Sequence, residues 1–125
     1  RERTYFLAER MKKVNYADLH THSTESDGRL SPEELVRYAK KKGIGLLSIT
    51  DHDTISSLKR GKTAAKKYRI DYISGIELSS YYRKTQLHIL GYYLDSSPEG
   101  LKAELNKCFE ERYKRAQLIL NKINP

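Results

Sequence analysis

Asp18-Leu19-His20-Thr21-His22 ends the first predicted strand of this 125-residue chain and begins a polar loop. Alternate residues of a strand project from the same face, so His20 and His22 are expected to lie side by side. Two imidazoles at this spacing can hold one metal ion, whereas the simpler interpretation is a pair of partly exposed strand histidines. Asp27, in the loop that follows, is placed to return a carboxylate to the same point.

Strands and helices alternate along the rest of the sequence. The predicted elements are strands over 14–20, 46–50 and 72–76, helices over 31–42 and 55–68, a hairpin over 78–93 that carries His88, and a long helix from Ser97-Pro98 to about Lys122. Ser31 and Glu34 form a capping box, and the apolar run over 46–50 is typical of a strand buried on both faces. This alternation indicates an α/β fold with parallel strands.

Histidine and carboxylate side chains fall at one end of the predicted sheet. His20 and His22, the segment 51–53 with His52, and Glu77 follow successive strands at their carboxyl ends, where parallel sheets build their sites. Such groups are costly to bury unpaired, and a metal cluster would satisfy them. Imidazole and carboxylate without cysteine suit zinc, manganese or iron. The number of candidate ligands exceeds what one tetrahedral ion takes, which indicates two ions or more.

Three further aspartates are candidates for orienting the ligating rings. Asp18 lies two residues before His20 on the same strand face, and Asp51 and Asp53 flank His52. A carboxylate that hydrogen-bonds a ligating imidazole fixes its tautomer and raises its basicity. We therefore expect Asp18, Asp51 and Asp53 to support catalysis indirectly, by hydrogen-bonding the histidines that bind the metal.

The composition describes one globular domain with a basic surface. The chain has 24 Lys+Arg against 16 Asp+Glu, a net charge of +8, which suggests an anionic partner. The segment 59–69 has six basic residues and no acidic one, and is either a solvated face or a patch that steers a phosphate-rich substrate. No apolar run approaches the ~20 residues of a membrane span, so no membrane partner is expected. The single Cys108 excludes an internal disulfide and, with no visible signal segment, favours a cytoplasmic protein.

The long C-terminal helix carries an apolar stripe at helical spacing. Its members are Leu101, Leu105, Cys108, Ala116, Ile119 and Ile123. Arg112 falls on this stripe, and Arg115 lies one turn away on nearly the same face. These two arginines either snorkel from the helix surface or hold a substrate phosphate through bidentate hydrogen bonds.

Four motifs, in this order, resemble the PHP (polymerase and histidinol phosphatase) superfamily. They are Asp18-Leu19-His20-Thr21-His22-Ser23 with Asp27-Gly28, Ile49-Thr50-Asp51-His52-Asp53-Thr54, Gly75-Ile76-Glu77, and His88-Ile89-Leu90-Gly91-Tyr92. They are most similar to the branch of nucleoside 3′,5′-bisphosphate phosphatases and 5′-3′ exoribonucleases. The resemblance implies a distorted (β/α)7 barrel that holds two or three divalent ions, usually manganese, with zinc, iron or magnesium as alternatives. The ligands that it implies are His20, His22, Asp27, His52, Glu77 and His88.

The resemblance covers 14–125, whereas the family pattern continues into a later half with further Asp and His ligands. We therefore expect the N-terminal part of a barrel, with an incomplete active site and little activity by itself. An unpaired strand edge and exposed apolar helix faces would favour self-association. Residues 1–13 lack the pattern and are interpreted as an N-terminal extension, since Met11 could be the natural start.

The expected activity is hydrolysis of a phosphoester in a nucleotide or at a nucleic-acid 5′ end, where a metal-bound hydroxide attacks phosphorus. Arg112 and Arg115 resemble the substrate-phosphate site of the same branch. Histidinol-phosphate phosphatase and polymerase-associated proofreading exonuclease are the alternative enzymes. A non-catalytic module that binds nucleic acid through 59–69 is the alternative from another class, and bound metal distinguishes it because such a module needs none.

Overall fold

The computed structural model describes residues 16–94 and 99–123. Its elements are β1 (Ala17–Thr21), α1 (Pro32–Lys41), β2 (Leu46–Ile49), α2 (Ser57–Tyr68), β3 (Asp71–Tyr72), β4 (Gly75–Tyr82), β5 (Thr85–Tyr92) and α3 (Glu99–Ile123). β1, β2 and β3 form a parallel sheet with β2 in the centre, and β4 and β5 form an antiparallel hairpin. The predicted α/β class with parallel strands is confirmed. The predicted extension over 1–13 and the predicted cap at Ser97-Pro98 lie outside the described residues.

The core lies between β2 and the helices α1 and α2. Every side chain of β2 is buried, as expected for the central strand of a covered parallel sheet. The buried residues that pack together are Val36, Ala39, Leu47, Ile49, Ala64, Ala65 and Ile70. The capping box is present: the Ser31 hydroxyl accepts a hydrogen bond from the Glu34 backbone, and the Glu34 carboxylate accepts one from the Ser31 backbone. It satisfies two amide groups that the first turn of α1 leaves free.

The predicted third strand, 72–76, is wrong in extent because two sheets share these residues. Tyr72 ends β3, which pairs with β2, whereas Gly75 begins β4, which pairs with β5. One parallel bridge between His52 and Glu77 joins the hairpin to the parallel sheet. Glu77 therefore lies within β4 and not beyond the end of a parallel strand, and the hairpin register fixes its direction.

Two surfaces of the described chain are exposed. β1 is exposed along most of its length, because it is an edge strand that pairs only with β2 among the described elements. α3 buries Leu105, whereas the C-terminal part of its apolar stripe, Ile119 and Ile123, is exposed. None of the helices in the described part of the chain is long and apolar enough to cross a membrane.

Candidate metal centre

Glu77 lies at the centre of the candidate site. Its side chain is 3% exposed, and its two carboxylate oxygens face the rings of all four histidines. Oε2 lies 2.7 Å from His20 Nε2, 3.1 Å from His22 Nε2 and 3.7 Å from His52 Nε2. Oε1 lies 2.6 Å from His88 Nδ1. One buried carboxylate thus draws together side chains from β1, the loop after β2, and both strands of the hairpin.

Asp27 brings a second carboxylate to the same histidines. Its Oδ1 lies 3.3 Å from His22 Nδ1, and its Oδ2 lies 3.9 Å from His52 Nε2. The donor atoms fall into three overlapping groups, within each of which all atoms lie within 4.8 Å of one another. These groups are His20–His22–Glu77, His22–Asp27–His52 and His52–Glu77–His88. The structure therefore brings all of the predicted ligands to one place.

The protonation of Glu77 follows from its surroundings. Burial alone would raise the pKa of its carboxyl group. Hydrogen bonds from His20 and His88 and the charge of His52 outweigh burial, and the pKa lies below its usual value. Glu77 is therefore an anion at neutral pH, which suits it to hold cations.

Two ring nitrogens in the centre are buried without a hydrogen-bond partner, His22 Nδ1 and His52 Nδ1. His22 Nδ1 lies 3.3 Å from Asp27 Oδ1, but their orientation is not that of a hydrogen bond. Buried polar atoms in native proteins are nearly always paired. The unpaired His22 Nδ1 lies beside the Asp27 carboxylate, and His52 Nε2 faces both Asp27 and Glu77. These donors fit a site for divalent ions, because nitrogen and oxygen donors suit manganese, zinc and iron.

Two of the aspartates predicted to orient the rings bind other groups. Asp18 accepts a long hydrogen bond, 3.4 Å, from the backbone N–H of His20. Asp51 is fully buried and accepts hydrogen bonds from Ser23 N (2.6 Å), Ser23 Oγ (2.8 Å) and Ser26 Oγ (2.8 Å). In the described structure Asp51 thus anchors the loop after β1, and neither carboxylate contacts a ring nitrogen.

The loop after β1 contains the residues that the sequence analysis missed. Ser23 is fully buried and Ser26 shares its partner, Asp51. A Cβ atom at Gly28 would lie 2.1 Å from the backbone oxygen of His22, so only glycine fits where the loop folds back. The two serines and the glycine that surround Asp27 were the available signal, but the carboxylate that the serines bind, Asp51, comes from the segment after β2.

The PHP domain profile matches residues 18–123. The chain belongs to the PHP domain family. A 5′-3′ exoribonuclease of Haemophilus influenzae is 41% identical over 106 residues, which cover 85% of this chain and 39% of that protein. A 3′,5′-nucleoside bisphosphate phosphatase of Chromobacterium violaceum is 36% identical over 100 residues, covering 80% of this chain and 35% of that protein.

A solved structure gives the same result for the fold of this PHP domain. An amidohydrolase from Chromobacterium violaceum, with bound sulfate and no metal, superposes with a TM-score of 0.77 at 35% sequence identity. The match covers 82% of this chain and 36% of that protein. The chain therefore spans about two fifths of the length of the relatives that it matches.

A cavity of about 640 Å³ adjoins the candidate metal centre of the PHP domain. Asp27, His52 and His88 line one side of it, and a face of α3 lines another. None of the basic residues in 59–69 lines it, and Arg60 pairs with Glu33 and with Glu25 of the loop after β1. This basic segment therefore does not line the candidate site. Arg60 instead holds the loop after β1 through its ion pair with Glu25.

The two predicted phosphate-binding arginines differ in position. Arg112 lines the cavity and pairs with Asp53, whose carboxylate also accepts a hydrogen bond from Ser79 N at 2.7 Å. Asp53 thus binds α3 and the hairpin, and not the ring of a histidine. Arg115 does not line the cavity, and its side chain makes no hydrogen bond or ion pair within the described residues. The structure brings Arg112, but not Arg115, to the site.

Proposed function

We propose that this PHP domain is part of a metal-dependent phosphoesterase that acts on a nucleotide or on a nucleic-acid 5′ end. The observation that carries the proposal is the convergence of four histidines and Asp27 on the buried Glu77, beside an open cavity. This donor set supports two or three divalent ions, with manganese as the first choice and zinc, iron or magnesium as alternatives. Ions bound in such a site supply an activated water and stabilise the charge that develops at phosphorus.

The residues of the chain itself would hold and orient the substrate. Glu77, His22 and His52 each belong to two of the donor groups, so they are the candidates for linking neighbouring ions. Arg112 would bind the phosphate from the α3 side of the cavity, since its pairing with Asp53 uses Nη1 and leaves further N–H donors. Arg115 would take part only if the substrate extended along α3.

Histidinol-phosphate phosphatases and proofreading exonucleases would use the same donor set. Our preference for a nucleotide or a nucleic-acid end therefore depends on the relatives, which are named a 5′-3′ exoribonuclease and a 3′,5′-nucleoside bisphosphate phosphatase. A purely nucleic-acid-binding module has no use for four histidines around a carboxylate. An exposed free thiol at Cys108 is compatible with the reducing cytoplasm in which we propose that the protein acts.

We further propose that the chain forms the N-terminal part of a distorted (β/α)7 barrel. The exposed edge of β1 and the exposed end of α3 are the surfaces that further strands and helices would cover. Because the relatives are more than twice as long as this chain, further ligands would complete the coordination of the same ions. Low hydrolytic activity of the 125-residue chain is therefore expected.

A metal titration tests the proposal directly. We expect the chain to bind Mn²⁺, followed by the electron paramagnetic resonance signal of the free ion, and Glu77→Gln to weaken binding more than tenfold. Glu104→Gln is the matched control, because Glu104 lies on the surface of α3 and pairs with Lys107. A folded wild-type chain that binds no Mn²⁺, Zn²⁺ or Fe²⁺ at millimolar concentration would overturn the proposal.

A further inference from the structure

One face of α3 closes the cavity opposite the candidate metal ligands. The residues of this α3 wall are Lys102, Leu105, Asn106, Phe109 and Arg112. Their spacing of three or four residues places them on one side of the helix. At 1.5 Å per residue, Lys102 and Arg112 lie about 15 Å apart along the axis. The wall therefore has a cation at each end and an apolar segment in between.

The apolar segment of the α3 wall suits a planar ring. Phe109 lines the cavity although its side chain is 69% exposed. Its ring stacks on that of Tyr113, with 6.5 Å between the ring centroids, so one face of the ring remains for a ligand. Ile55, from the segment before α2, lines the same cavity and is half-buried. The aromatic ring of Phe109 and the aliphatic side chain of Ile55, both in the cavity lining, are the kinds of group that bind flat heterocycles by stacking and apolar contact.

The positive charges of the α3 wall suit a ligand that carries an anionic group as well as a planar ring. Arg112 is anchored by Asp53 through one nitrogen, and a guanidinium group carries five N–H donors, so donors remain for a phosphate. Lys102 has no ion-pair partner among the described residues. The cavity thus offers stacking surface and phosphate-binding groups within one turn of helix, at Phe109 and Arg112.

We propose that the α3 wall is a nucleobase subsite, in which the base stacks on Phe109 against Ile55 while the attached phosphate reaches Arg112 and the metal ligands. This inference rests on the proposed phosphoesterase function and names the part of the substrate that α3 recognises. A free nucleoside monophosphate and the 5′-terminal nucleotide of an RNA share this chemistry. Stacking tolerates every base, so the subsite is selective for nucleotides but not for one sequence.

Binding by the Mn²⁺-loaded chain tests the subsite. The ligands are AMP, ribose 5-phosphate and a 5′-phosphorylated tetranucleotide of RNA, each followed by calorimetry. AMP should bind about tenfold more tightly than ribose 5-phosphate, since one base stack is worth that factor. Phe109→Ala should abolish this difference and leave the binding of ribose 5-phosphate unchanged. Leu118→Ala is the control, because its exposed side chain lies further along α3, outside the cavity.

The outcomes distinguish failure of the nucleobase subsite from failure of the proposed phosphoesterase function. Metal-dependent binding of ribose 5-phosphate with no preference for AMP, or an AMP preference that survives Phe109→Ala, would overturn the subsite alone. A metal-loaded chain that binds none of the three ligands would overturn the proposed function and the subsite with it. A loss of RNA affinity in Phe109→Ala equal to that of AMP would support the subsite and identify the terminal nucleotide as its ligand. A loss confined to AMP would support it for free nucleotides.

Discussion

Glu77 Oε1 lies 2.6 Å from His88 Nδ1 across the β4–β5 hairpin. In the register of this hairpin Glu77 pairs with Leu90 and Ser79 pairs with His88, so the two side chains are diagonal neighbours on one face. A shift of one residue in this register would turn His88 to the opposite face of the hairpin. The geometry of the candidate metal centre therefore depends on antiparallel pairing, outside the parallel sheet that supplies the other histidines.

The stability of the metal-free chain should fall as the pH drops below about 4.5. Burial raises the pKa of Glu77, but the hydrogen bonds from His20 and His88 together with the charges of His52 and His20 outweigh burial, and the folded value lies below the ordinary value of 4.5. A carboxyl group of this kind contributes stability above its unfolded pKa and loses it as the pH falls through the folded pKa. Urea unfolding between pH 7 and pH 3 measures this, and Glu77→Gln should flatten the profile. Equal slopes in the wild type and Glu77→Gln would contradict the assignment.

Asp51→Asn should destabilise the fold by about 1–3 kcal/mol, the cost of leaving a buried donor unsatisfied. The amide retains one acceptor oxygen, but its NH₂ group would face the hydroxyl and N–H donors of Ser23 and Ser26. The free energy of unfolding by urea is the measurement. Asp18→Asn, at an exposed carboxylate with one long hydrogen bond, is the control and should change it by less than about 0.5 kcal/mol. Equal changes in the free energy of unfolding for the two substitutions would show that Asp51 does not anchor the loop.

Arg112→Ala should weaken the binding of ribose 5-phosphate to the Mn²⁺-loaded chain by about ten- to a hundredfold, as expected for the loss of hydrogen bonds between charged groups. Arg115→Ala removes the same side chain one turn away, outside the cavity, and should leave the affinity within twofold. Bound Mn²⁺ should be equal in both variants. Equal losses of phosphate affinity in the two variants would show that Arg115 also binds the phosphate. No loss in either variant would favour the interpretation that both arginines only snorkel from the helix surface.

The chain should self-associate at high concentration. Its C-terminal helix exposes Leu118, Ile119, Leu120 and Ile123, and β1 presents an edge that no described strand covers. Light scattering after size exclusion should give a mass that rises above that of the monomer between micromolar and millimolar protein. Ile119→Glu should shift the mass towards the monomer, whereas Gln117→Glu adds the same charge beside it and should not. A concentration-independent monomer would contradict this expectation.

The sequence places His20, His22, His52 and Glu77 at one site because their residue types recur where strands end, whereas the assignment of His88 as a ligand depends on the family resemblance. His20, His22 and His52 are close to strands whose apolar runs are clear. Glu77 was placed at the end of a parallel strand, since a short run over 72–76 does not reveal which strand it pairs with. The partners of Asp51 could not be predicted, because they are serines in a loop that only the tertiary fold brings near.

The helix α3 shows that helical periodicity alone does not predict which face of a helix contacts the site. Its apolar stripe, from Leu101 to Ile123, identifies the face richest in hydrophobic residues. The face that lines the cavity shares Leu105 and Arg112 with that stripe, but it also includes Lys102 and Asn106, which the stripe leaves out. A helical pattern reports which residues could be buried, whereas the neighbouring elements decide which face is used.

The bridge between His52 and Glu77 is the one β-pairing that joins the parallel sheet to the hairpin among the described strands. The candidate ligands are divided across it, with Glu77 and His88 on the hairpin and the others on the sheet side. Divalent ions held between them would act as a cross-link between two sheets whose backbones are joined at this bridge by two hydrogen bonds, Asp53 N–H to Glu77 O and Glu77 N–H to Asp51 O. Amide hydrogens of the hairpin should then exchange more slowly in the metal-loaded chain than in the metal-free one, and the cofactor would hold the architecture together as well as serve its chemistry.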